Sequence, residues 1–187
     1  GTVVTPIKAY HEYLSTSAWT FEHQALVRAR LVAGNEALNE RFENIRRSIL
    51  CQPREAADLQ KALRDMRRRM RQHHGRTSKP GFDLKHGPGG LIDIEFLCQY
   101  LVLRFAPQEQ ELAECRGNLQ IISELAHSGR ISHETATTLS RTLRLYLAKD
   151  NALKLSRREA RLPAETFGPE REAIGRLWRC YLEPDRP

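Results

Sequence analysis

Two carboxylates, Asp93 and Glu95, lie two residues apart in the stretch KHGPGGLIDIEF, which spans residues 85–96. Enzymes that transfer nucleotidyl groups use such acid pairs to bind Mg²⁺, which holds the triphosphate and polarises the attacking oxygen. Residues i and i+2 share a face of a β-strand, so a strand would aim both carboxylates at one ion. On an α-helix each residue advances by about 100°, and the same two side chains diverge by roughly 200°.

The residues that follow Glu95 indicate a helix. They read FLCQYLVLRFA, which has leucines and a glutamine over a helical length and lacks the turn residues that would bound a short strand. The sequence therefore predicts that Asp93 and Glu95 point to different sides of one helix and do not share a metal ion. A carboxylate among leucines needs a charged partner, so we expect at least one of them to contact an arginine such as Arg28 or Arg30.

A glycine-rich turn follows Lys85 and leads into this helix. The unpaired N–H groups at a helix N-terminus, together with the charge of Lys85, suit an anion such as phosphate. The turn is equally well explained as a packing element that lets the helix enter the core, with Asp93 completing the N-terminal charge pattern. The sequence leaves both interpretations open, and the candidate anion-binding or nucleotide-facing residues are Lys85, Gly87, Gly89 and Gly90.

Helical periodicity over almost the whole chain predicts an all-α bundle of about seven or eight helices. A long, buried central helix is expected from Leu91 to Ala106, because this stretch is almost wholly apolar. A second helix is expected from Ala18 to Gly34, and a long helix is expected after a cap at Ser132. Residues 82–85 are expected to be briefly extended.

The four cysteines are widely spaced and form no C-x-x-C pair, which predicts reduced core thiols in a cytoplasmic protein and neither a disulfide framework nor a zinc site. The first twenty residues lack the pattern of a signal peptide, and the longest apolar run is too short and too interrupted to cross a membrane. We therefore expect no membrane association.

The net charge is +7 and the pI is about 9.5, which favours an acidic or polyanionic partner. A basic helix face is either a solvated surface or a docking patch for an acidic protein. A nucleic-acid-binding module is an unlikely alternative, because the aromatic residues fall on apolar stripes rather than beside the charges. As an alternative function for the whole chain, a stand-alone regulatory protein-interaction domain fits the sequence better than a nucleic-acid-binding module does. The candidate docking residues are Lys61, Arg64, Arg68 and Arg71.

Three segments together resemble the C-terminal half of the bifunctional glutamine synthetase adenylyltransferase/adenylyl-removing enzyme family. KHGPGGLIDIEFLCQYLVLRFA meets every fixed position of the family pattern K-x-G-x-G-G-[IL]-x-D-I-E-F, and AWTFEHQALVRARLVAG and LQKALRDMRRRMRQHHG precede it in the same order. The resemblance covers nearly the whole chain. It implies a helical, PII-uridylyltransferase-like domain of an enzyme that transfers AMP from ATP to a tyrosine of glutamine synthetase in nitrogen regulation.

The resemblance also implies which parts lie elsewhere. The family's adenylylating site uses a Gly-Ser and an Asp-x-Asp of a preceding nucleotidyltransferase domain, and this sequence has no such element. We expect residues 1–4 to be the exit from that domain and residues 5–187 to be the helical domain, with parts 5–75 and 82–187 joined by a hinge at 76–81. The expected partners are glutamine synthetase, the preceding domain and, as a further candidate, the PII signalling protein. This chain alone should hold no catalytic residue, metal or cofactor, while the parent enzyme uses ATP and Mg²⁺.

The predicted second helix carries polar side chains in a largely apolar element, and these need partners because an unpaired buried charge is costly. One interpretation is a buried ion-pair network that joins this helix to the central helix, with His23 and Arg30 on one face. The other is a cleft that faces the nucleotide or the target tyrosine, and the two are compatible. The residues of this candidate network are Glu22, His23, Arg28, Arg30, Asp93 and Glu95.

Overall fold

The computed structural model describes residues 4–74 and 80–184, and over these residues the protein is an all-α bundle. The helices are α1 Ile7–Thr16, α2 Thr20–Leu26, α3 Glu36–Leu50, α4 Ala56–His74, α5 Leu91–Phe105, α6 Glu111–Glu114, α7 Asn118–His127, α8 His133–Leu155 and α9 Gly168–Leu182. Eight of these helices have at least seven residues, and α6 has four. The predicted fold class is confirmed. Within the described ranges no helix is long and apolar enough to span a membrane.

Helix α5 is the centre of the bundle. Eleven of its 15 residues are buried, and α2, α4, α6, α7, α8 and α9 all pack against it. It begins directly after Gly90, where the nearly continuous apolar sequence starts, and it extends to Phe105. This confirms the predicted central helix. The long helix α8 also begins as predicted, because the Ser132 hydroxyl accepts a hydrogen bond from the Thr135 N–H at 3.1 Å.

Helix α2 is much shorter than expected, because it ends at Leu26 rather than near Gly34. A buried arginine of α3 explains this end. Arg46 donates from Nε to the Leu26 carbonyl at 2.7 Å and from Nη2 to the Val27 carbonyl at 2.8 Å. The guanidinium binds these two carbonyls where the helix gives way to tight turns, and the Ala29 N–H also donates to the Leu26 carbonyl at 3.1 Å. The predicted helix over 18–34 is therefore wrong beyond Leu26.

A two-residue antiparallel ladder fixes the chain ahead of the glycine turn. Strand β1, Phe82–Asp83, pairs with β2, Arg161–Leu162, with Phe82 opposite Leu162. The Leu84 N–H extends the contact by donating to the Ala160 carbonyl at 2.8 Å. The predicted extended segment at 82–85 is confirmed for residues 82 and 83 and is wrong for residues 84 and 85, which already belong to the turn. The connector between α8 and α9 is held beside this turn. The predicted hinge at 76–81 lies outside the described residues except for 80 and 81.

Candidate functional site

Asp93 is the centre of a buried cluster between α4 and α5. Its Oδ1 accepts from Arg67 Nε at 2.6 Å, and its Oδ2 accepts from Arg71 Nη2 at 2.6 Å and from the Gly89 N–H at 2.7 Å. The Arg67 and Asp93 side chains are only 1% and 2% exposed. Arg67 also donates from Nη2 to the His86 carbonyl at 2.9 Å. One carboxylate therefore joins α4 to the glycine turn and to the start of α5.

Burial affects the charge of this cluster. It lowers the pKa of the Arg67 guanidinium, and the charge of Asp93 and its hydrogen bond oppose that shift. A paired guanidinium in such a position stays charged because the carboxylate compensates for the lost hydration. The cluster therefore behaves as a charged pair that holds two elements together.

Glu95 lies on another side of α5 and makes a different kind of contact. Its Oε1 accepts from Arg28 Nη1 at 2.8 Å, and the Arg28 side chain is 51% exposed. The predicted contact between the Asp-Ile-Glu stretch and Arg28 is confirmed, and the two carboxylates contact different elements as expected. The pair is partly solvated, however, so the expected buried network does not form at this point. Asp93 takes its arginine partners from α4 rather than from the region of α2.

The other polar residues expected in that network, Glu22, His23 and Arg30, lie apart from Asp93. Glu22 accepts from the Trp19 N–H at 2.8 Å and caps the start of α2. The ring nitrogen His23 Nε2 lies 2.8 Å from the Leu14 carbonyl oxygen, and burial is the main cause that lowers the pKa of the His23 imidazole. Arg30 is exposed beyond the end of α2, so it shares no helical face with His23. The structure does not bring these three residues to Asp93.

Glycine is required at two positions of the turn by close backbone approach. Gly89 has φ +73°, and a Cβ there would lie 2.4 Å from the Arg171 carbonyl oxygen of α9. At Gly87 a Cβ would lie 2.5 Å from the Asp83 carbonyl oxygen. The buried Tyr146 of α8 donates from its hydroxyl to the Gly89 carbonyl at 3.0 Å. The turn is thus wedged between α8, α9 and α5.

The amides of the turn are already used within the protein. The Asp83 side chain accepts from the N–H groups of residues 85 and 86, and the Asp83 carbonyl accepts from Gly87. The Gly89 N–H is bound to Asp93, and the N–H groups of residues 90–93 donate to carbonyls of residues 84, 85, 87 and 90. These contacts support the packing interpretation of the turn. An anion could not use these amides unless it displaced an internal acceptor.

Lys85 projects from the turn toward α8. Its Nζ lies 3.6 Å from Asp150 Oδ1, while Lys154 Nζ lies 2.6 Å from Asp150 Oδ2. Asp150 is therefore neutralised mainly by Lys154, and the longer contact leaves Lys85 less tightly held. The ammonium of Lys85 remains a candidate cation for a ligand or for a neighbouring domain.

The predicted basic face of α4 divides into two parts. Lys61 is exposed, whereas Arg64, Arg68 and Arg71 line a cavity together with Arg67 and Trp178 of α9. The guanidinium of Arg71 lies over the Trp178 ring, 5.7 Å from its centroid. Three of the four candidate docking residues therefore belong to a concave surface rather than to a flat helix face.

Two buried arginines had no role in the sequence-based prediction. Arg67 and Arg46 are each 1% exposed. A signal for Arg67 exists, because it lies four residues after Leu63 and three before Met70 on the apolar stripe of α4. Position on such a stripe indicates burial, and burial of an arginine indicates a carboxylate partner. In the described part of the chain, no group of three His, Cys, Asp or Glu side chains could hold a metal ion.

Two family models match this chain. The family model described as GlnD PII-uridylyltransferase matches residues 54–183, which include α4, the glycine turn, α5 and all later helices. The model described as glutamate-ammonia ligase adenylyltransferase matches residues 1–45. Together the two matches confirm the resemblance found in the sequence. The chain therefore belongs to the GlnD PII-uridylyltransferase family and carries a glutamate-ammonia ligase adenylyltransferase region at its start, as expected of the C-terminal helical domain of that adenylyltransferase.

Proposed function

We propose that this chain is the accessory helical domain of the adenylylating half of an enzyme that transfers AMP from ATP to a tyrosine of glutamine synthetase. The adenylyltransferase match at residues 1–45, continuous with the uridylyltransferase-type helical match, is the observation that carries the proposal. The ATP- and Mg²⁺-binding carboxylates belong to the preceding nucleotidyltransferase domain. The helical domain supports that site and supplies surfaces for glutamine synthetase and for the PII signalling protein.

The buried cluster has a definite role in this proposal. Asp93 and Arg67 hold the glycine turn against α4, and Tyr146 holds it against α8. A turn fixed from both sides gives the Lys85 backbone a defined position. Because the turn amides are occupied, the Lys85 ammonium is the part of this segment that can meet a phosphate of a nucleotide held by the preceding domain.

The full-length enzyme with Lys85→Ala tests this role, and Lys154→Ala is the matched control because both lysines contact Asp150. The assay follows incorporation of AMP from ATP into glutamine synthetase. A lost charge-assisted contact is worth about 1.5–3 kcal/mol, so we expect kcat/KM for ATP to fall about 10- to 100-fold for Lys85→Ala. The thermal midpoint should stay nearly unchanged, and Lys154→Ala should keep its activity.

Two results would contradict the role of Lys85. Equal kinetic losses in both variants would show that only the neutralisation of Asp150 matters. A thermal midpoint lowered by many degrees without a specific kinetic loss would leave the turn with a packing role alone.

The isolated 187-residue chain provides a second test. It should transfer no AMP to glutamine synthetase with ATP and either Mg²⁺ or Mn²⁺, because Asp93 is committed to two arginines and Glu95 faces another side of α5. Stoichiometric AMP incorporation by the purified chain would refute the assignment of the metal carboxylates to the preceding domain.

A further inference from the structure

A cavity of about 570 Å³ lies between α4 and the C-terminal end of α9. Its walls combine several cations with one indole ring and one carboxylate. The residues that matter for its chemistry are Arg64, Arg67, Arg68, Arg71, Trp178 and Glu183. A volume of this size is in the range of about 300–1,000 Å³ that is usual for sites of small organic ligands.

Within residues 4–74 and 80–184, the arginines of this cavity have more buried donors than acceptors. Arg67 Nη1 and Arg71 Nε are buried and have no hydrogen-bond partner among the residues that the structure describes. The Arg64 Nη1 donates to a neutral acceptor, the Leu182 carbonyl. A buried donor without an acceptor is costly, so two of them in one cavity favour an added acceptor that the described residues do not supply.

The charges around the cavity are also unbalanced. Asp93 is shared by Arg67 and Arg71, and Asp65 contacts Arg68 at 2.8 Å on the solvent side. Glu183 accepts from Trp178 Nε1 at 3.2 Å on the cavity wall. Among the described residues, four guanidinium groups meet three carboxylates. This excess of positive charge lies in a concave surface, which concentrates the electric field.

We propose that this cavity binds the phosphate group of a small anion. Guanidinium groups match phosphate oxygens in charge and in planar geometry, and a phosphate offers several acceptors to a cluster of donors. The cavity is larger than a phosphate ion, and the remaining space beside Trp178 suits the organic part of a phosphate ester. This site is separate from Lys85, and it does not depend on the adenylyltransferase role.

Fluorescence of Trp178 provides a direct measurement. The chain has two tryptophans, so Trp19→Phe leaves Trp178 as the single reporter. This variant is titrated at constant ionic strength with inorganic phosphate, with AMP and with glutamate as a carboxylate probe, because screening by salt would otherwise change the signal. We expect a saturable response to phosphate and AMP. Tighter binding of AMP assigns the site to an ester, and equal binding assigns it to the free ion.

Two arginines on the same helix provide the matched variants. Arg68 lines the cavity and is 66% exposed, so Arg68→Gln should leave the fold intact. Arg69 is also exposed but lies outside this cavity, beside Trp19. Loss of one charge-assisted contact should weaken phosphate binding about tenfold in Arg68→Gln. Arg69→Gln removes the same net charge and should change the affinity by less than about twofold.

Several outcomes would overturn the proposal. These are the absence of a saturable response, equal losses in Arg68→Gln and Arg69→Gln, and glutamate binding as tightly as phosphate. A response to a polyanion such as polyglutamate without any response to phosphate or AMP would assign the surface to protein docking and would also overturn it. Thermal unfolding of each variant confirms that the fold is retained, and binding should raise the thermal midpoint of the Trp19→Phe chain.

Discussion

Replacement of Asp93 by alanine tests whether one carboxylate stabilises the fold from within. The change removes hydrogen bonds of 2.6–2.7 Å from Arg67 Nε, Arg71 Nη2 and the Gly89 N–H. It leaves the guanidinium of Arg67, which is 1% exposed, without the carboxylate that compensates its charge. Breaking a buried pair from one side costs on the order of 3–5 kcal/mol. We expect the free energy of unfolding to fall by this amount, which is a large part of the roughly 5–15 kcal/mol of a typical domain.

Glu95→Ala is the matched control, because it removes the other carboxylate of the same three-residue stretch. Its partner Arg28 is 51% exposed, and such solvated pairs contribute about 0–1 kcal/mol. Urea unfolding of both variants, followed by far-UV circular dichroism, measures the difference. Similar losses in the two variants, or a loss below about 1 kcal/mol for Asp93→Ala, would refute the reasoning.

A double variant separates the stranded charge from the lost packing. Arg67→Met combined with Asp93→Leu removes both charges and keeps apolar volume at the interface of α4 and α5. Replacing a whole buried pair by apolar residues is often close to neutral. The double variant should therefore be more stable than Asp93→Ala. If the two variants are equally stable, the effect of Asp93 comes chiefly from the bond to the Gly89 N–H, which both variants lose, rather than from the stranded guanidinium.

Two further predictions concern the turn and the thiols. Gly89→Ala should destabilise the chain by more than Gly129→Ala. Both glycines have φ near +70°, but only at Gly89 would a Cβ meet backbone, at 2.4 Å from the Arg171 carbonyl oxygen. Equal losses of stability in urea unfolding would contradict this steric argument. Burial raises the pKa of the Cys98 thiol to about 12, so Cys98 stays neutral and shielded at about pH 8, whereas Cys180 is exposed. Ellman's reagent should therefore modify Cys180 in the native chain and Cys98 only after unfolding, and peptide mapping that finds both equally fast would contradict this.

The elements that were predictable from the sequence are those fixed by local signals. The apolar run of α5, the Ser132 cap of α8 and the extended segment at residues 82–83 each depend on neighbouring residues. The end of α2 was not predictable in this way, because Arg46 of α3 sets it from 20 residues away along the chain. Helical periodicity describes one element at a time and contains no information about a capping group from another.

The candidate site shows the same division. Helical geometry placed Asp93 and Glu95 on different sides of one helix, and the Arg28 contact of Glu95 was predicted. The arginine partners of Asp93 were not predicted, because spacing within α5 does not determine which neighbouring helix packs on a given face. Arg67 has the spacing of a core residue but the charge of a surface residue, so its position on the helix is the signal that indicates its burial. A cation on an apolar stripe is better interpreted as half of a buried pair.

Asp93 lies between the arginine cavity and the glycine turn, and this position links the two proposals. Its Oδ2 accepts from Arg71 Nη2 on one side and from the Gly89 N–H on the other. A phosphate bound at Arg71 Nε would share that guanidinium with Asp93, so occupation of the cavity would be coupled to the turn that carries Lys85. Residues that share one partner show coupling energies of about 0.5–3 kcal/mol in double-mutant cycles. In the full-length enzyme, the effects of Arg71→Gln and Lys85→Ala on kcat/KM should therefore be non-additive, because Arg71 binds the carboxylate that also holds the turn of Lys85. Additive effects would show that the cavity and the turn act independently.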